Sequence, residues 1–262
     1  MDVVVNIAAN HAGRGAEIAK LLLKRDFLSV EELAARFDVT TQTIRRDING
    51  LCEQGAARRL HGGVAPANSS TNASFTARQT HNPEAKFAIA SAVARLIPDG
   101  ASVSFGIGTT PQIVADALSA HRGLKIVTNN LPIAISASQN PSFEVAIAGG
   151  VVRPNEIDVC GPQTEDFFSA YSVDFAIFGV GGVDRDGGLL DFSHAEVRAR
   201  EAMRENCRAS FLVLDSSKFD RTAHIKGGRI DRMTSVFCET GPPGPIERLL
   251  SRSGTRFVLC EV

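Results

Sequence analysis

Five polar words in the C-terminal three-quarters of the chain each follow a short apolar run. Phe105-Gly106-Ile107-Gly108-Thr109-Thr110 ends the first run, Thr128-Asn129-Asn130 the second and Ala148-Gly149-Gly150 the third. Gly179-Val180-Gly181-Gly182 and Asp215-Ser216-Ser217-Lys218 end the fourth and fifth. In open α/β sheets ligands bind outside the carboxyl ends of the strands, so these turns are expected to converge on one crevice. Gly108-Thr109-Thr110 leads into a helix, whose exposed N–H groups and threonine hydroxyls suit an anion, notably phosphate. Lys218 and Arg198 offer a compact and a forked positive charge respectively. Thr128, Asn129 and Asn130 can hydrogen-bond a polyol or a phosphate rim, or equally form a turn that tolerates left-handed backbone. Asp184 reads either as a ligand group or as part of a plain β-turn. Glu196 and Arg200 share a helix face at i,i+4, and a solvated pair of that kind contributes about 0.2–0.5 kcal/mol. His194 reads as a helix cap or surface residue. No metal cluster, catalytic triad or Walker-type lysine stands in the sequence, so the expectation is binding, with no catalytic residue, metal or cofactor.

A second constellation lies between Ser29 and Gly63. Ser29 and Glu32 form a capping box, with Leu28 and Leu33 as its hydrophobic staple. Val30, Leu33, Ala34 and Phe37 recur at helical spacing. Asp38-Val39-Thr40 breaks that helix, and Thr40 is placed to N-cap another beginning at Thr41. In the second helix Ile44, Ile48 and Leu51 share one face. The other face carries Gln42, Thr43, Arg46 and Asn49, with Arg45 on its flank. Arginine pairs bidentately with guanine, and glutamine or asparagine with adenine, so this face suits the major groove. Gly55 is placed to end the helix. Arg58-Arg59-Leu60-His61-Gly62-Gly63 then reads as a basic wing against phosphate. Residues 40–63 carry four arginines against Asp47 and Glu53, a local charge of +2.

These groups need two kinds of scaffold. The chain has 262 residues and a net charge of −1, with 44% hydrophobic and 22% charged residues. That is an ordinary globular composition, and DNA affinity has to come from a local patch. No run approaches the roughly 20 apolar residues of a membrane span. The first ten residues lack the basic start of a signal peptide. Five scattered cysteines read as reduced thiols of a cytoplasmic protein. From Pro83 onward helices alternate with short apolar strands, which implies an open, mainly parallel sheet covered on both faces. The first of these helices, 84–97, is expected to turn Phe87, Ala90, Val93, Ala94 and Ile97 inward.

TTQTIRRDINGL followed by RRLHGG resembles the N-terminal winged helix-turn-helix of the DeoR family of bacterial transcription regulators. The resemblance continues through IGTTPQIVADAL, IVTNNL, AGG, LLDFSHAEVR and DSSKF. It implies a DNA-binding domain over 1–66, a linker over 67–74 and an α/β sensor over 75–262 that resembles sugar-phosphate isomerases. By the same resemblance the chain is a repressor that binds operator double-stranded DNA as a homo-oligomer. A phosphorylated polyol or sugar, with glycerol 3-phosphate favoured, would release it. Gly108, Thr109, Thr110 and Lys218 would then hold the phosphate. Thr128, Asn129, Asn130, Gly149, Gly150, Gly181, Asp184 and Glu196 would shape the rest of the pocket. Two other readings stand beside this: a repressor answering to another sugar phosphate, and an isomerase with Glu196 or Asp184 as base and an accessory DNA-binding module. Three positions depart from the family pattern. Asp220 stands where SKFG has glycine, Arg200 where a lysine is common, and Asp26 where glycine is usual. Asp220 is expected to bear on Lys218, and its carboxylate to weaken anion binding there.

Overall fold

The computed structural model describes residues 13–22, 25, 27–53, 57–60, 62–66, 72 and 74–261. Asp26, Gly55, His61, the Arg58 side chain, the N-terminal extension and most of the linker lie outside the described residues. The chain divides into two units, with the boundary between Ala77 and Arg78.

In the first unit, helix α1 spans 13–22 and strand β1 is Leu28–Ser29. Helix α2 (Val30–Phe37) starts where Ser29 Oγ accepts the Glu32 N–H at 2.9 Å. The Glu32 carboxylate does not complete the box; it pairs with Arg25. Asp38, left-handed at φ 50°, stops α2. Thr40 Oγ1 then accepts the Thr43 N–H at 3.2 Å and starts α3 (Thr41–Glu53). Strands β2 (Ala57–Leu60) and β3 (Gly63–Pro66) pair with β1 in the antiparallel order β1-β3-β2. Ile18, Leu33, Ile44 and Ile48 form the core. Asp47, on the α3 face that packs inward, is wholly buried against Arg14.

Helix α4 (Phe75–Gln79) carries the chain across the boundary. The second unit then runs α5 (Pro83–Ala94), β4 (Ser102–Phe105), α6 (Thr109–Ala117), β5 (Lys125–Thr128), α7 (Leu131–Ala137) and β6 (Glu144–Ile147). A hairpin of β7 (Val152–Arg153) and β8 (Asp158–Val159) follows, then α8 (Pro162–Ser169) and β9 (Val173–Phe178). After these come β10 (Gly182–Val183), β11 (Gly188–Asp191), α9 (His194–Glu205), β12 (Cys207–Val213) and β13 (Ile225–Arg229). The chain closes with β14 (Ser235–Cys238), α10 (Gly244–Ser253) and β15 (Arg256–Leu259). Seven strands form one sheet in the order β15-β14-β12-β9-β4-β5-β6, and every pairing in it is parallel. Two apolar layers cover it. One joins α5, α6 and α7 through Ile89, Val93, Val114 and Ile133. The other joins α8, α9 and α10 through Phe168, Met203, Ile246 and Leu250. Short apolar runs buried on both faces are what a parallel sheet requires. Phe87 departs from the expected inward face: α5 buries Ala85, Ile89, Ala92 and Val93, and Phe87 is 61% exposed. Beyond the expected elements stand the β7–β8 hairpin and a small antiparallel sheet, β10-β11-β13.

The tight turn between β2 and β3 pairs Leu60 with Gly63 and puts Gly62 at φ 74°. A Cβ on Gly63 would lie 2.3 Å from the Leu28 carbonyl oxygen. Gly63→Ala is therefore expected to destabilise the DNA-binding unit by about 1–3 kcal/mol, the usual cost of overpacking. Denaturant unfolding of the variant against the parent chain measures it.

Candidate functional site

Helix α3 buries Ile44, Asp47, Ile48 and Leu51 and exposes Thr41, Gln42, Arg45, Arg46 and Asn49. Thr43 is half-buried, its hydroxyl 3.0 Å from that of Thr40, so it serves the cap as well as the surface. Arg59 on β2 donates to Asn49 Oδ1 at 3.1 Å. That bond fixes the wing strand against the reading face. With Asp47 turned inward, the outward face of α3 carries Arg45 and Arg46, with Glu53 at its far end.

In the second unit the chain runs from β4 outward through β5 to β6. It then returns to β9 on the other side of β4 and continues through β12 to β15. The strand order therefore reverses between β4 and β9, and the crevice at a reversal is where such sheets bind ligands. The loops after these two strands do meet there. Gly106, Asn129, Cys160, Phe178, Glu196 and Arg200 line one crevice. On its flank Gly179 is packed between Pro111 of α6 and the Val213 carbonyl of β12. Helix α6 begins at Gly108 with no side-chain cap, so its first-turn N–H groups have no hydroxyl or carboxylate over them. Thr109 and Thr110 are buried in that turn.

Beyond Gly179 the 3-10 turn Ser216–Lys218 follows β12. Asp215 is buried, and Asn82, the N-cap of α5, donates to its Oδ1 at 2.9 Å. Burial would raise the Asp215 carboxyl, but Lys218 and the bonds from Ser217 and Asn82 hold it below the usual carboxylate range. Burial pushes the Lys86 ammonium of α5 down to about 8, with Asp215 opposing and Arg78 assisting. Burial likewise depresses Lys218, and Arg221 adds to it. Lys86 and Lys218 thus lie by Asp215, with Arg221 near Lys218. Lys86 was not expected from the sequence. It lies three residues after Pro83 on what reads as an apolar helix, and its lone position there was the available signal.

The remaining expected residues divide into scaffold and lining. Thr128 Oγ1 donates to the Phe105 carbonyl at 2.9 Å and accepts the Asn130 N–H at 3.0 Å, locking β5 to the end of β4. Asn130 caps α7 and donates to the Gly108 carbonyl at 3.2 Å. Asn129 donates to the Val159 carbonyl at 2.7 Å, and its buried Oδ1 is left without a partner. Gly149 and Gly150 are exposed at the entry to the β7–β8 hairpin. Gly181 gives its N–H to Asp191 and its carbonyl to Arg221. Asp184 belongs to the turn between β10 and β11, where its Oδ1 accepts the Arg185 N–H at 2.8 Å. Arg198 is exposed and pairs with Glu165 at 3.2 Å, away from the crevice.

Glu196 and Arg200 are both buried, and the expected solvated pair does not form. Glu196 accepts from Arg153 at 2.7 Å and from the Phe192 N–H at 3.2 Å. Arg200 spans Asp191 and the Gly227 carbonyl with two separate nitrogens of its fork. Ser193, not His194, caps α9. Burial pushes the Cys160 thiol up to about 12, so it stays protonated. No group of residues able to hold a metal ion occurs among the described residues.

A DeoR-like helix-turn-helix domain matches residues 14–70, and the DeoR C terminal sensor domain matches residues 81–240. The chain belongs to the DeoR family. It is 40% identical over 243 residues to the glycerol-3-phosphate regulon repressor of Escherichia coli (strain K12), covering 93% of this chain and 96% of that one. The protein of the same name from Haemophilus influenzae is 42% identical over 247 residues, covering 94% and 96%. The HTH-type transcriptional repressor CsqR of E. coli is 36% identical over 246 residues, covering 94% of each. Among solved structures, a ribose 5-phosphate isomerase A from Methanocaldococcus jannaschii covers 53% of this chain and 55% of its own, at 16% identity and a TM-score of 0.39.

Against the DeoR-family pattern, Asp220 has a backbone reason. It sits at φ 56°, where glycine costs nothing, and its carboxylate pairs with Arg185 at 3.1 Å rather than with Lys218. The expected ion pair between Asp220 and Lys218 does not form. On the DNA-binding unit, Arg46→Ala is expected to lose about 1–3 kcal/mol of discrimination between operator and random DNA, the value of a bidentate base contact. Arg45→Ala on the flank is expected to weaken all DNA alike and to reduce the salt slope by about 1. Mobility-shift titrations at several salt concentrations distinguish the two. Parent-like binding by both variants would reject this docking face.

Proposed function

We propose that this chain is a cytoplasmic transcriptional repressor that binds operator DNA as a homo-oligomer and leaves it when the sensor takes up a phosphorylated polyol. Glycerol 3-phosphate is the favoured ligand, because relatives of 40% and 42% identity are named for that regulon. The carrying observation is the pair of buried lysines, Lys86 and Lys218, by one carboxylate, Asp215, with Asp215 and Lys218 on the same strand-end edge of the sheet as the uncapped start of α6. A phosphate monoester brings a charge of about −1.5 to −2 at pH 7 and three acceptor oxygens, which balances such a set. The free Oδ1 of Asn129, in the crevice between the loops after β4 and β9, can accept a bond from a ligand hydroxyl. An isomerase reading finds less support. Glu196 is held by Arg153, and Asp184 sits in a hairpin turn, so neither is a carboxylate poised to move a proton.

Lys218→Ala is expected to weaken glycerol 3-phosphate binding more than Thr109→Ala. A charge-assisted bond is roughly twice as strong as a neutral one. Both variants should still bind operator. Calorimetry with glycerol 3-phosphate and glycerol decides the matter: equal binding of the two, or binding of neither, sinks the phosphate site. A pH dependence follows from Lys86. An adjacent dianion favours the charged ammonium, so bound ligand raises the Lys86 pKa, which burial holds at about 8. Affinity should therefore decline as pH rises through 8, by up to about tenfold per unit for one linked proton, with proton uptake on binding. Titration at pH 8.5–9.5 in buffers of different ionisation heats measures the uptake. Its absence would take Lys86 out of the site.

A further inference from the structure

Arg78 is the first residue of the second unit, and α4, on which it lies, continues back towards the DNA-binding unit. Within the second unit it is held from two sides. The Lys86 ammonium donates to the Arg78 carbonyl oxygen. The Arg78 guanidinium pairs with Glu156, at the turn of the β7–β8 hairpin, and both side chains are largely buried, at 14% and 12% exposure. The two grips lead to the two halves of the proposed ligand site. Lys86 belongs to the cation cluster around Asp215. The hairpin is tied to the crevice through Arg153, which clasps Asp158 at 2.7 and 2.8 Å and Glu196 at 2.7 Å. It is also tied through the Val159 carbonyl, which accepts from Asn129. Ile157, next to Glu156, has φ 55°, a left-handed conformation that a β-branched residue takes only where its surroundings impose it.

We propose that Arg78 is the output residue of the sensor, reading ligand occupancy through Lys86 at its carbonyl and through Glu156 at its guanidinium. This rests on the phosphate-ester reading given above. One of the three Lys86 donors is spent on the Arg78 carbonyl. A phosphate oxygen competes for that ammonium and forms the stronger, charge-assisted bond. A ligand hydroxyl at Asn129 or Glu196 acts on the hairpin, and so on Glu156. Either event changes a contact that Arg78 makes in one state and not in the other. That difference in contacts is what coupling between sites requires. Lys86 and Lys218 would bind; Arg78 and Glu156 would transmit.

The test uses the full chain and the coupling ratio, operator Kd with saturating glycerol 3-phosphate over operator Kd without it. In the parent chain this ratio is expected within the usual allosteric range of about 5–150. Glu156→Gln keeps shape and removes charge. It should bind glycerol 3-phosphate and free operator within about threefold of the parent, while the ratio falls below about 2. Arg78→Lys keeps charge and loses the fork, and its ratio should also fall; it answers the question if Glu156→Gln unfolds. By reciprocity the ligand affinity measured with operator present must shift by the same factor. A parent-like ratio in a variant that binds ligand overturns the relay and leaves the ligand site standing. A parent chain that binds no glycerol 3-phosphate overturns both; one that binds it without any change in operator affinity overturns the relay and the proposed release from operator, and leaves the ligand site standing.

Discussion

Seven parallel strands put all their carboxyl ends along one edge of the sheet, and this constraint governs the second unit. The strand order reverses between β4 and β9, so the two connections leaving those strands depart to opposite faces and a gap opens between them. The polar turns of the site lie along that edge. Gly106–Thr110 leaves β4, Gly179 leaves β9, and Asp215–Lys218 leaves the next strand out. Thr128 and Asn130 stitch the rim together, bonding the end of β4 and the start of α6 to the turn after β5. A parallel sheet buries both of its faces, so its rim is where polar chemistry can gather without breaking the core.

Charge is the second constraint. The interior admits ionised side chains only in compensated sets, because an unpaired buried charge costs several kcal/mol. Most buried charges here comply. Arg200 faces Asp191, Arg153 faces Asp158 and Glu196, and Arg14 faces Asp47. Lys86 and Lys218 lie by Asp215, and burial depresses both lysines. Perturbed groups of this kind concentrate at functional sites.

The DNA-binding unit follows a different economy. It is small, and its core is a handful of aliphatic side chains held by caps and one buried ion pair. Turning Asp47 inward does two things. It satisfies Arg14, and it removes a negative charge from the face that would meet DNA. The Arg59–Asn49 bond joins wing to helix, so the basic strand and the reading face present one surface.

Much was legible in the sequence where the signal is local. Ser29 and Thr40 as caps, the apolar stripe of α3, the strand–helix alternation and the glycine words at strand ends all depend on neighbours within a few residues. Backbone geometry then leaves little choice. The coarse placement of the site followed too, since a parallel sheet has only one edge on which these words can end. What tertiary structure decided was the partner of each side chain. Glu196 and Arg200 look paired along their helix, yet each found a partner brought from elsewhere in the chain, Arg153 and Asp191 respectively. Arg198 looked like an anion ligand and faces Glu165 at the surface, while Lys86, which no local pattern singled out, is buried beside Asp215. Asp220 departs from the family word, and its effect turned on a backbone angle and on Arg185, 35 residues away. Caps and periodicity are fixed by short-range sterics and hydrogen bonds. The choice of ion-pair partner is fixed by which strands lie adjacent, and only the folded sheet determines that.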